Sequence, residues 1–123
     1  MTLARRREAW RRGHIAETLC MAWLILRGYR IIDRRRRTPV GEIDIIARRG
    51  RTLAIIEVKA RQAVSDALES VSPRQRLRLV RAAEWLIAGR ADLAALDIRF
   101  DVIAVAPWRL PKHVIGAWRA DNG

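Results

Sequence analysis

The hydrophobic positions of this chain follow helical spacing at first, then a two-residue alternation, and then helical spacing again. From about residue 3 to residue 27 the apolar residues recur every three or four positions, which predicts an amphipathic helix. The inner face predicted for this helix consists of Ile15, Leu19, Ala22 and Leu26, widened by Ala16 and Trp23. Gly28 stands where a helix-ending glycine is expected, so the helix is predicted to end there.

Three β-segments are predicted after this helix. The short run Tyr29–Ile32 predicts a strand, and the arginine-rich run Asp33–Pro39 predicts a loop or an exposed sheet edge. Glu42–Arg48 and Leu53–Lys59 predict two further strands, because both are rich in alternating and β-branched apolar residues. Residues 49–52 lie between them with a central glycine, so the two strands are expected to form a tight hairpin.

A second long helix is predicted after a loosely helical stretch, Val64–Val71. Three signals mark its start: Ser72 as the N-cap, Pro73 at the first helical position, and Gln75 as the partner of Ser72 in a capping box. The inner face predicted for this helix consists of Leu77, Val80, Ala83 and Ile87.

The last third of the chain predicts one or two more strands. Gly89 ends the second helix, Ile98–Val105 predicts a strand, and Val114–Trp118 predicts either another strand or a packed tail. The order is helix, three strands, helix, strand, which indicates an α/β fold with a mixed central sheet flanked by helices. A chain of 123 residues is expected to form one domain over residues 1–123.

The charge of the chain points to a class of partner. The net charge is +12, and a surface of this kind attracts polyanions, of which nucleic acid is the commonest. Arginine supplies 23 of the 25 basic residues, a bias that can also reflect the base composition of the genome. The positive excess attracts polyanions whichever residue carries it, so nucleic acid is the expected partner.

The metal chemistry open to this chain is restricted by its cysteine and histidine positions. Cys20 is the one cysteine, which excludes an internal disulfide and a cysteine-rich zinc site. His14 and His113 are far apart in sequence, with no second ligand at a spacing that zinc sites use. A bound metal is therefore expected to be a hard cation held by carboxylates.

The N-terminal region imitates a secretory signal, because a basic stretch precedes the apolar run Leu19–Leu26. However, Glu17 precedes that run and no small-residue cleavage site follows it. The run is also far shorter than the ~20 residues of a membrane span. We expect a cytoplasmic protein with no membrane partner.

The candidate chemistry lies in residues 41–61, GEIDIIARRGRTLAIIEVKAR. Residues two apart on a strand share a face, so Glu42 and Asp44 point one way, and Glu57 and Lys59 share a face in the same manner. A two-residue hairpin loop gives paired positions that sum to 101, which places Asp44 opposite Glu57 and Glu42 opposite Lys59. A register with a sum of 99 also leaves all four residues on one face, whereas a slip by one residue would turn charges into the core. Opposed Cβ atoms are about 5 Å apart, so the two carboxylates can share one cation of the Mg²⁺ type.

Each of these residues also has an ordinary structural explanation. A Glu-x-Lys pattern is common on solvated edge strands, but opposed carboxylates destabilise a sheet unless a cation lies between them. Lys59 is one of only two lysines in an arginine-rich chain, and lysine suits work beside an attacking water. Glu17, on the first helix, either pairs with a nearby arginine or supplies a third carboxylate to the cation.

Two further features carry weaker expectations. Arg99 and Asp101 share a strand face, where a salt bridge that orients the sheet is favoured over a substrate contact. Trp10 and Trp108 are the tryptophans considered for base stacking, and the sequence favours neither.

The motifs Gly13-x-x-x-Glu17, GEIDII, IIEVKAR and RFDVI together resemble the YraN-like family of uncharacterised bacterial proteins, over roughly residues 13–105. That family is similar to the restriction-endonuclease-like PD-(D/E)xK nucleases, and to archaeal Holliday-junction resolvases in particular. The resemblance implies an αβββαβ core, in agreement with the order of elements predicted above.

The resemblance also implies roles for individual residues. Asp44 matches the first aspartate of the nuclease motif, Glu57 its second acid and Lys59 its lysine. Glu17 matches the helix glutamate of the resolvases, and Glu42 matches the YraN-like pattern as an accessory residue. In the second helix, where the family often has lysine, this chain has Arg74 or Arg76.

The leading hypothesis is a nuclease that cleaves phosphodiester bonds in DNA, branched or damaged forms included, with Mg²⁺ or Mn²⁺ as cofactor. Asp44, Glu57 and Glu17 would hold the metal, with Lys59 as the fourth catalytic residue and the Val58 carbonyl as a further ligand. The residues expected to grip phosphates are Arg34, Arg35, Arg36, Arg37, Arg61, Arg74 and Arg78. The alternatives are a non-catalytic nucleic-acid-binding module and an RNA- or ribosome-associated factor. A homodimer is left open.

Overall fold

The computed structural model describes residues 2–6 and 14–120, and a five-stranded mixed sheet forms its centre. Residues 3–6 are helical, and the prediction of one helix over residues 3–27 falls partly outside the described residues. The remaining elements are α1 (His14–Leu26), β1 (Arg30–Thr38), β2 (Gly41–Arg49), β3 (Thr52–Lys59), α2 (Val64–Glu69), α3 (Pro73–Ala88), α4 (Ala91–Ala94), β4 (Asp97–Ala104) and β5 (Lys112–Trp118).

The sheet follows the chain, because its spatial order is β1-β2-β3-β4-β5. Strands β3 and β4 are parallel, and the other neighbouring pairs are antiparallel. The parallel pair requires a crossover connection, which α2, α3 and α4 supply. The predicted α/β class and the order helix, three strands, helix, strand are confirmed. The loosely helical stretch Val64–Val71 contains α2, Val114–Trp118 lies in the strand β5, and α4 is the additional element.

Apolar side chains pack on both faces of the sheet. One cluster joins α2, α3 and α4 to the sheet and includes Leu79, Ala82, Ile46 and Ile55. The other joins α1 to the opposite face through Cys20 and Leu24, which meet residues of all the central strands. Strands β2 and β3 are therefore buried on both faces, which accounts for their nearly continuous apolar sequence.

The face that α1 buries differs from the prediction. Ala16, which was predicted to widen the inner face, is fully buried together with Cys20 and Leu24. The predicted inner residues Ile15 and Leu26 are instead 70% and 83% exposed. The remaining members of the predicted stripe are also exposed: Leu19 and Ala22. Both faces of this helix are apolar, so periodicity alone could not indicate which of them contacts the sheet.

Strand β1 is longer than predicted, and it forms an exposed edge of the sheet. The predicted strand Tyr29–Ile32 continues into the run Asp33–Pro39, so that β1 extends from Arg30 to Thr38. Among the described strands β1 pairs only with β2, which confirms the exposed sheet edge predicted for the arginine-rich run. The pairing shifts between Ile31 and Asp33, and Arg35 has a positive φ of 48°. Exposed charges and irregular backbone are common at sheet edges, where they discourage pairing with another chain.

The start of α3 is capped as predicted, but only in part. The Ser72 hydroxyl accepts a hydrogen bond from the Gln75 main-chain N–H at 3.1 Å, and Gly89 caps the other end. The Gln75 side chain does not complete the capping box, because it bonds elsewhere. On the inner face Val80 and Ala83 are buried as predicted, whereas Leu77 is 42% exposed.

No helix in the described part of the chain is long and apolar enough to cross a bilayer.

Candidate functional site

The candidate site lies where β2 and β3 stop pairing. The register of this hairpin is the predicted one, since Arg49 pairs with Thr52 and the pairs continue to Ile45 with Ile56. Beyond that pair, the Asp44 carboxylate accepts a hydrogen bond from the Val58 main-chain N–H at 2.8 Å. A side-chain oxygen thus takes the place of a strand carbonyl, and the backbone donor stays satisfied while the strands separate.

Asp44 and Glu57 meet at a small polar cavity of about 230 Å³. Both residues are buried, with exposed fractions of 9% and 5%. The cavity is lined from β2 and β3 below and from α3 above, and its other lining residues include Gly41, Glu42, Gln75 and Arg78. The predicted pairs of Asp44 with Glu57 and of Glu42 with Lys59 lie beyond the last paired residues, Ile45 and Ile56, but Asp44 and Glu57 both line this cavity.

Glu57 is held by two neighbours of different chemistry. The Gln75 amide donates a hydrogen bond from Nε2 to Oε1 of Glu57 at 3.1 Å. The ammonium Nζ of Lys59 lies 3.6 Å from the same oxygen, and the Lys59 side chain is 19% exposed. Lys59 is therefore a partly desolvated cation with access to solvent beside a buried carboxylate.

Gln75 is the site residue that sequence reasoning missed. Its position three residues after Ser72 was explained by capping, and that explanation left no reason to assign its side chain to the sheet. Of the two arginines where the family often has lysine, Arg74 is exposed and Arg76 donates to the Val71 carbonyl at 3.1 Å. The amide of Gln75 extends from α3 to Glu57.

Glu17 lies on the other side of Asp44. It lines a narrow cleft with Asp44, and its carboxylate forms ion pairs with Arg35 and with Arg34, the latter at 3.3 Å. Within residues 2–6 and 14–120 no three Asp, Glu, His or Cys side chains are grouped to hold a metal. The structure therefore does not gather Glu17, Asp44 and Glu57 into a single three-carboxylate set, and Glu17 pairs with arginine.

The pair Asp44 and Glu57 nevertheless fits one class of cation. Mg²⁺ typically takes one or two protein carboxylates and completes its octahedron with waters and substrate phosphate oxygens. The cavity offers two hard oxygen donors from adjacent strands in a polar lining. The donor set suits Mg²⁺ or Mn²⁺ and is too small for an all-protein Ca²⁺ or Zn²⁺ site.

The predicted phosphate-binding arginines lie in three places. Arg78 lines the carboxylate cavity, and Arg61 lies beyond the end of β3. Arg34 and Arg35 surround Glu17 on the edge strand. The other predicted members are exposed: Arg36, Arg37 and Arg74.

Gly41 explains why Arg78 approaches the hairpin so closely. Its φ is +152°, and a Cβ on this residue would lie 2.9 Å from Cδ of Arg78. A side chain at position 41 would be strained and would displace the arginine. Because Gly41 has no side chain, the Arg78 side chain can lie against the wall of the cavity.

Arg99 and Asp101 form the predicted salt bridge, away from the cavity. Arg99 donates to both carboxylate oxygens of Asp101, at 2.9 and 2.8 Å, and it also bonds to the Tyr29 hydroxyl. His113 Nε2 lies 2.9 Å from Asp101, and the Gly116 N–H donates to it at 2.9 Å.

This network controls the charge of Asp101. Burial alone would raise the pKa of Asp101, but the hydrogen bonds from His113, Arg99 and Gly116 together hold its pKa below the ordinary value. Both carboxylate oxygens of Asp101 have partners within the network, which favours a support for β4 and β5 over a substrate contact.

Comparison with known proteins identifies close relatives. The family model for the uncharacterised protein family UPF0102 matches residues 16–105. A UPF0102 protein of Maricaulis maris is 52% identical, and the alignment covers 96% of this chain and 92% of that protein. Another from Paramagnetospirillum magneticum is 47% identical, with 92% and 91% covered. A third from Parvibaculum lavamentivorans is 50% identical, with 90% and 84% covered.

Proposed function

This chain belongs to the uncharacterised protein family UPF0102, the YraN-like family that its motifs resemble, and we propose that it is a divalent-metal-dependent nuclease. The proposed reaction is hydrolysis of phosphodiester bonds in DNA, branched or damaged forms included. The name of the family states no activity, so the proposal rests on the chemistry of the cavity.

One observation carries the proposal: two buried carboxylates, Asp44 and Glu57, line one polar cavity with the Lys59 ammonium beside it. Burying two like charges within one small cavity is unfavourable unless a cation offsets them. Lys59 and Gln75 contact Glu57, and the Val58 N–H donates to Asp44. Two carboxylates and an ammonium around one polar cavity are groups that suit a divalent cation and a phosphate.

Each residue has a defined task in the proposed mechanism. Asp44 and Glu57 would hold a Mg²⁺ or Mn²⁺ ion, which supplies positive charge at the scissile phosphate and makes water more acidic when bound. Gln75 fixes the Glu57 carboxylate, and Lys59 donates a hydrogen bond to the attacking water or to the phosphate oxygens as negative charge develops. Water forms the new bond to phosphorus and loses a proton to solvent. The bond to the leaving oxygen breaks, and that oxygen takes up a proton from solvent.

Glu17 and Glu42 are proposed to be accessory groups of the site. Arg34 and Arg35, which now pair with Glu17, are cations that a phosphate backbone also attracts. If a phosphate replaced the Glu17 carboxylate as the partner of these arginines, Glu17 could turn towards Asp44, with which it shares the cleft. Glu42 is exposed at the rim of the cavity, where it can orient water.

The test of the proposal compares cleavage of three labelled DNAs with Mn²⁺: a linear duplex, a single strand and a four-way junction. The proteins are wild type, Asp44→Asn, Lys59→Ala and the control Lys112→Ala, which changes the other lysine of the chain. We expect wild type and Lys112→Ala to cut at least one DNA, and the two site variants to lose at least a hundredfold in rate.

A calorimetric titration with Mn²⁺ separates the metal site from the reaction. Wild type should bind the ion, and Asp44→Asn should not, because the charge of the ligand is lost. Absence of cleavage in all three DNAs, or equal cleavage by wild type and both site variants, refutes the nuclease. DNA binding without cleavage would then favour the non-catalytic binding module.

We propose that the exposed apolar face of α1 binds the same face on a second copy of the chain. The exposed apolar residues Ile15, Leu19, Ala22 and Leu26 are spaced by four, three and four positions, the spacing of a coiled-coil seam. One helix face is small beside the ~800 Å² per partner of a standard interface. We therefore expect dimers only at high concentration, promoted by salt that screens the +12 charge. Light scattering should show monomers for Leu26→Glu and wild-type behaviour for Thr18→Glu.

A further inference from the structure

The connection between β4 and β5 carries a tryptophan that the fold does not use. Trp108 is 101% exposed, and Trp85, the next most exposed tryptophan within residues 14–120, is 43% exposed. An indole is the largest apolar side chain available, and its exposure forgoes the stabilisation that burial would give.

The backbone at Trp108 is also unfavourable for this residue. The Arg109 N–H donates to the Ala106 carbonyl at 3.4 Å, which closes a turn with Pro107 in the second position and Trp108 in the third. Trp108 has a φ of +63°, and glycine or asparagine is usual at such a position. A bulky residue held in this region is strained, and such strain is concentrated at functional sites.

The turn lies at the end of the sheet that carries the catalytic lysine of the proposed nuclease. In the parallel pair β3 and β4, Lys59 lies opposite Ala104, and the Val105 N–H donates to the Lys59 carbonyl at 2.9 Å. Three extended residues span about 11 Å at most, so Trp108 is tied to within that distance of Val105.

A groove of about 350 Å³ adjoins the base of this turn. Its walls include the apolar residues Ala60, Ala106 and Pro107, together with the guanidinium of Arg61. Apolar walls beside a cation match the two parts of a nucleotide, which are a flat base and a charged phosphate. Arg109, next to Trp108, is exposed and adds a second positive charge.

We propose that Trp108 stacks on an unpaired nucleobase of the nucleic acid bound at the site. The inference rests on the proposed function to the extent that the site must bind nucleic acid, and it specifies the substrate class as a strand with at least one unpaired base. A base inside a continuous duplex is covered by its neighbours, whereas an unpaired base has a free π-face. The protein therefore prefers single strands, loops or distorted junctions to intact duplex.

The test uses binding without cleavage, in buffer with EDTA, and DNA that carries the fluorescent base 2-aminopurine. One DNA has 2-aminopurine in a single strand, and its partner has the same base inside a full duplex. Wild type should bind the single strand more tightly and quench its emission by stacking. Trp108→Ala should bind the single strand about tenfold or more weakly and leave the emission unquenched, with duplex affinity unchanged.

Three further variants make the result specific to an aromatic ring. Trp108→Phe should restore most of the affinity, because phenylalanine also presents a π-face. Leu110→Ala is the matched control, because Leu110 is 75% exposed on the same connection but has no ring. Trp108→Gly relieves the strained φ, so its melting temperature should equal or exceed that of wild type while its affinity falls as in Trp108→Ala.

The outcomes for this inference and for the nuclease are separable. Equal single-strand binding and quenching by wild type and Trp108→Ala overturns the stacking role, whatever the cleavage assay gives. If Trp108→Ala loses affinity for single-stranded DNA alone, the stacking role is supported even if no DNA is cut, because the binding assay contains no free metal.

Discussion

The Asp44 carboxylate accepts a hydrogen bond from the Val58 main-chain N–H at 2.8 Å, at the position where strands β2 and β3 separate. One side chain thus stabilises the opening of the hairpin and faces the cavity at which the metal is proposed to bind. These two roles can be separated by substitution, since an amide keeps the acceptor oxygen and removes the charge.

Asp44→Asn and Asp44→Ala should therefore differ in stability and agree in loss of function. The amide keeps a bond to Val58, so we expect a midpoint of denaturation close to that of wild type. Alanine leaves a buried N–H without its acceptor, which costs about 1–3 kcal/mol. Urea denaturation measures the first difference, and a Mn²⁺ titration should show no binding for either variant. Equal destabilisation by both substitutions would contradict the assigned hydrogen bond.

Gln75→Leu should lower the rate of the proposed reaction without a comparable loss of substrate affinity. The substitution removes the 3.1 Å hydrogen bond from Gln75 to Glu57, so one of the contacts that orient the carboxylate is lost. We expect kcat to fall about tenfold, the equivalent of one hydrogen bond of about 1.4 kcal/mol, with KM little changed. The matched control is Ser72→Ala, which removes the cap of the same helix turn. It should cost about 1 kcal/mol in stability and leave kcat unchanged.

Arg78→Ala should weaken nucleic-acid binding uniformly across sequences. Because Arg78 lines the cavity as an exposed cation, it is expected to contact a phosphate, and its loss should reduce the salt slope of log K by about one. Arg90→Ala is the control, since Arg90 is paired with Asp92 at 2.7 Å near α4. Measurement of affinity at several salt concentrations distinguishes the two. An unchanged slope in Arg78→Ala would remove this residue from the interface.

Gly41→Ala tests the packing that admits Arg78. The new Cβ would meet Cδ of Arg78 at 2.9 Å while the backbone retains a φ of +152°. We expect a loss of about 1–3 kcal/mol in stability together with weakened DNA binding in the direction of Arg78→Ala. The double variant identifies the cause: if Arg78 is displaced by the methyl group, Gly41→Ala should weaken binding no further once Arg78 is alanine.

The Asp101 network predicts a stability that falls in acid. The pKa of Asp101 is lower in the folded chain than the ordinary value, so below about pH 5 the unfolded chain binds more protons than the folded one. The free energy of unfolding therefore decreases as the pH falls through this range. Asp101→Asn should lose roughly 3 kcal/mol at pH 7, because it leaves Arg99 without its buried partner.

The same substitution should flatten the acid limb of the stability curve, measured by urea denaturation from pH 7 to pH 3. Asp92→Asn is the control, since Asp92 is paired with Arg90 at the surface and solvent screens that pair. A steep acid limb that survives in Asp101→Asn would assign the acid sensitivity to other carboxylates.

The hairpin register was predictable from sequence because two independent constraints agree. The glycine-centred turn fixes the pairing of Arg49 with Thr52, and the alternation of charged and apolar residues excludes a slip by one position. The face of α1 was not predictable, because both of its sides are apolar and only the sheet decides between Ile15 and Ala16. Local patterns determine local pairing, whereas the choice between equivalent faces depends on distant packing.

The role of Gln75 also depended on distant packing. In sequence it lies 18 positions from Glu57, and its neighbour Ser72 gave it a sufficient local explanation. Only the crossover that brings α3 over the hairpin places its amide against the carboxylate. The three motif residues Asp44, Glu57 and Lys59 lie on adjacent strands, and for this reason spacing alone could bring them together.

The parallel pairing of β3 with β4 has a consequence for the order of folding. Strands β1, β2 and β3 form a meander whose contacts are local, whereas β4 can join β3 only after the chain from Ala60 to Leu96 has closed a long loop. We expect the meander to form first. Asp44 and Glu57 then meet early on the folding pathway, and the amide that orients Glu57 arrives only when α3 docks. We therefore expect the carboxylates of Asp44 and Glu57 to come together before the Gln75 amide that orients Glu57 is in place.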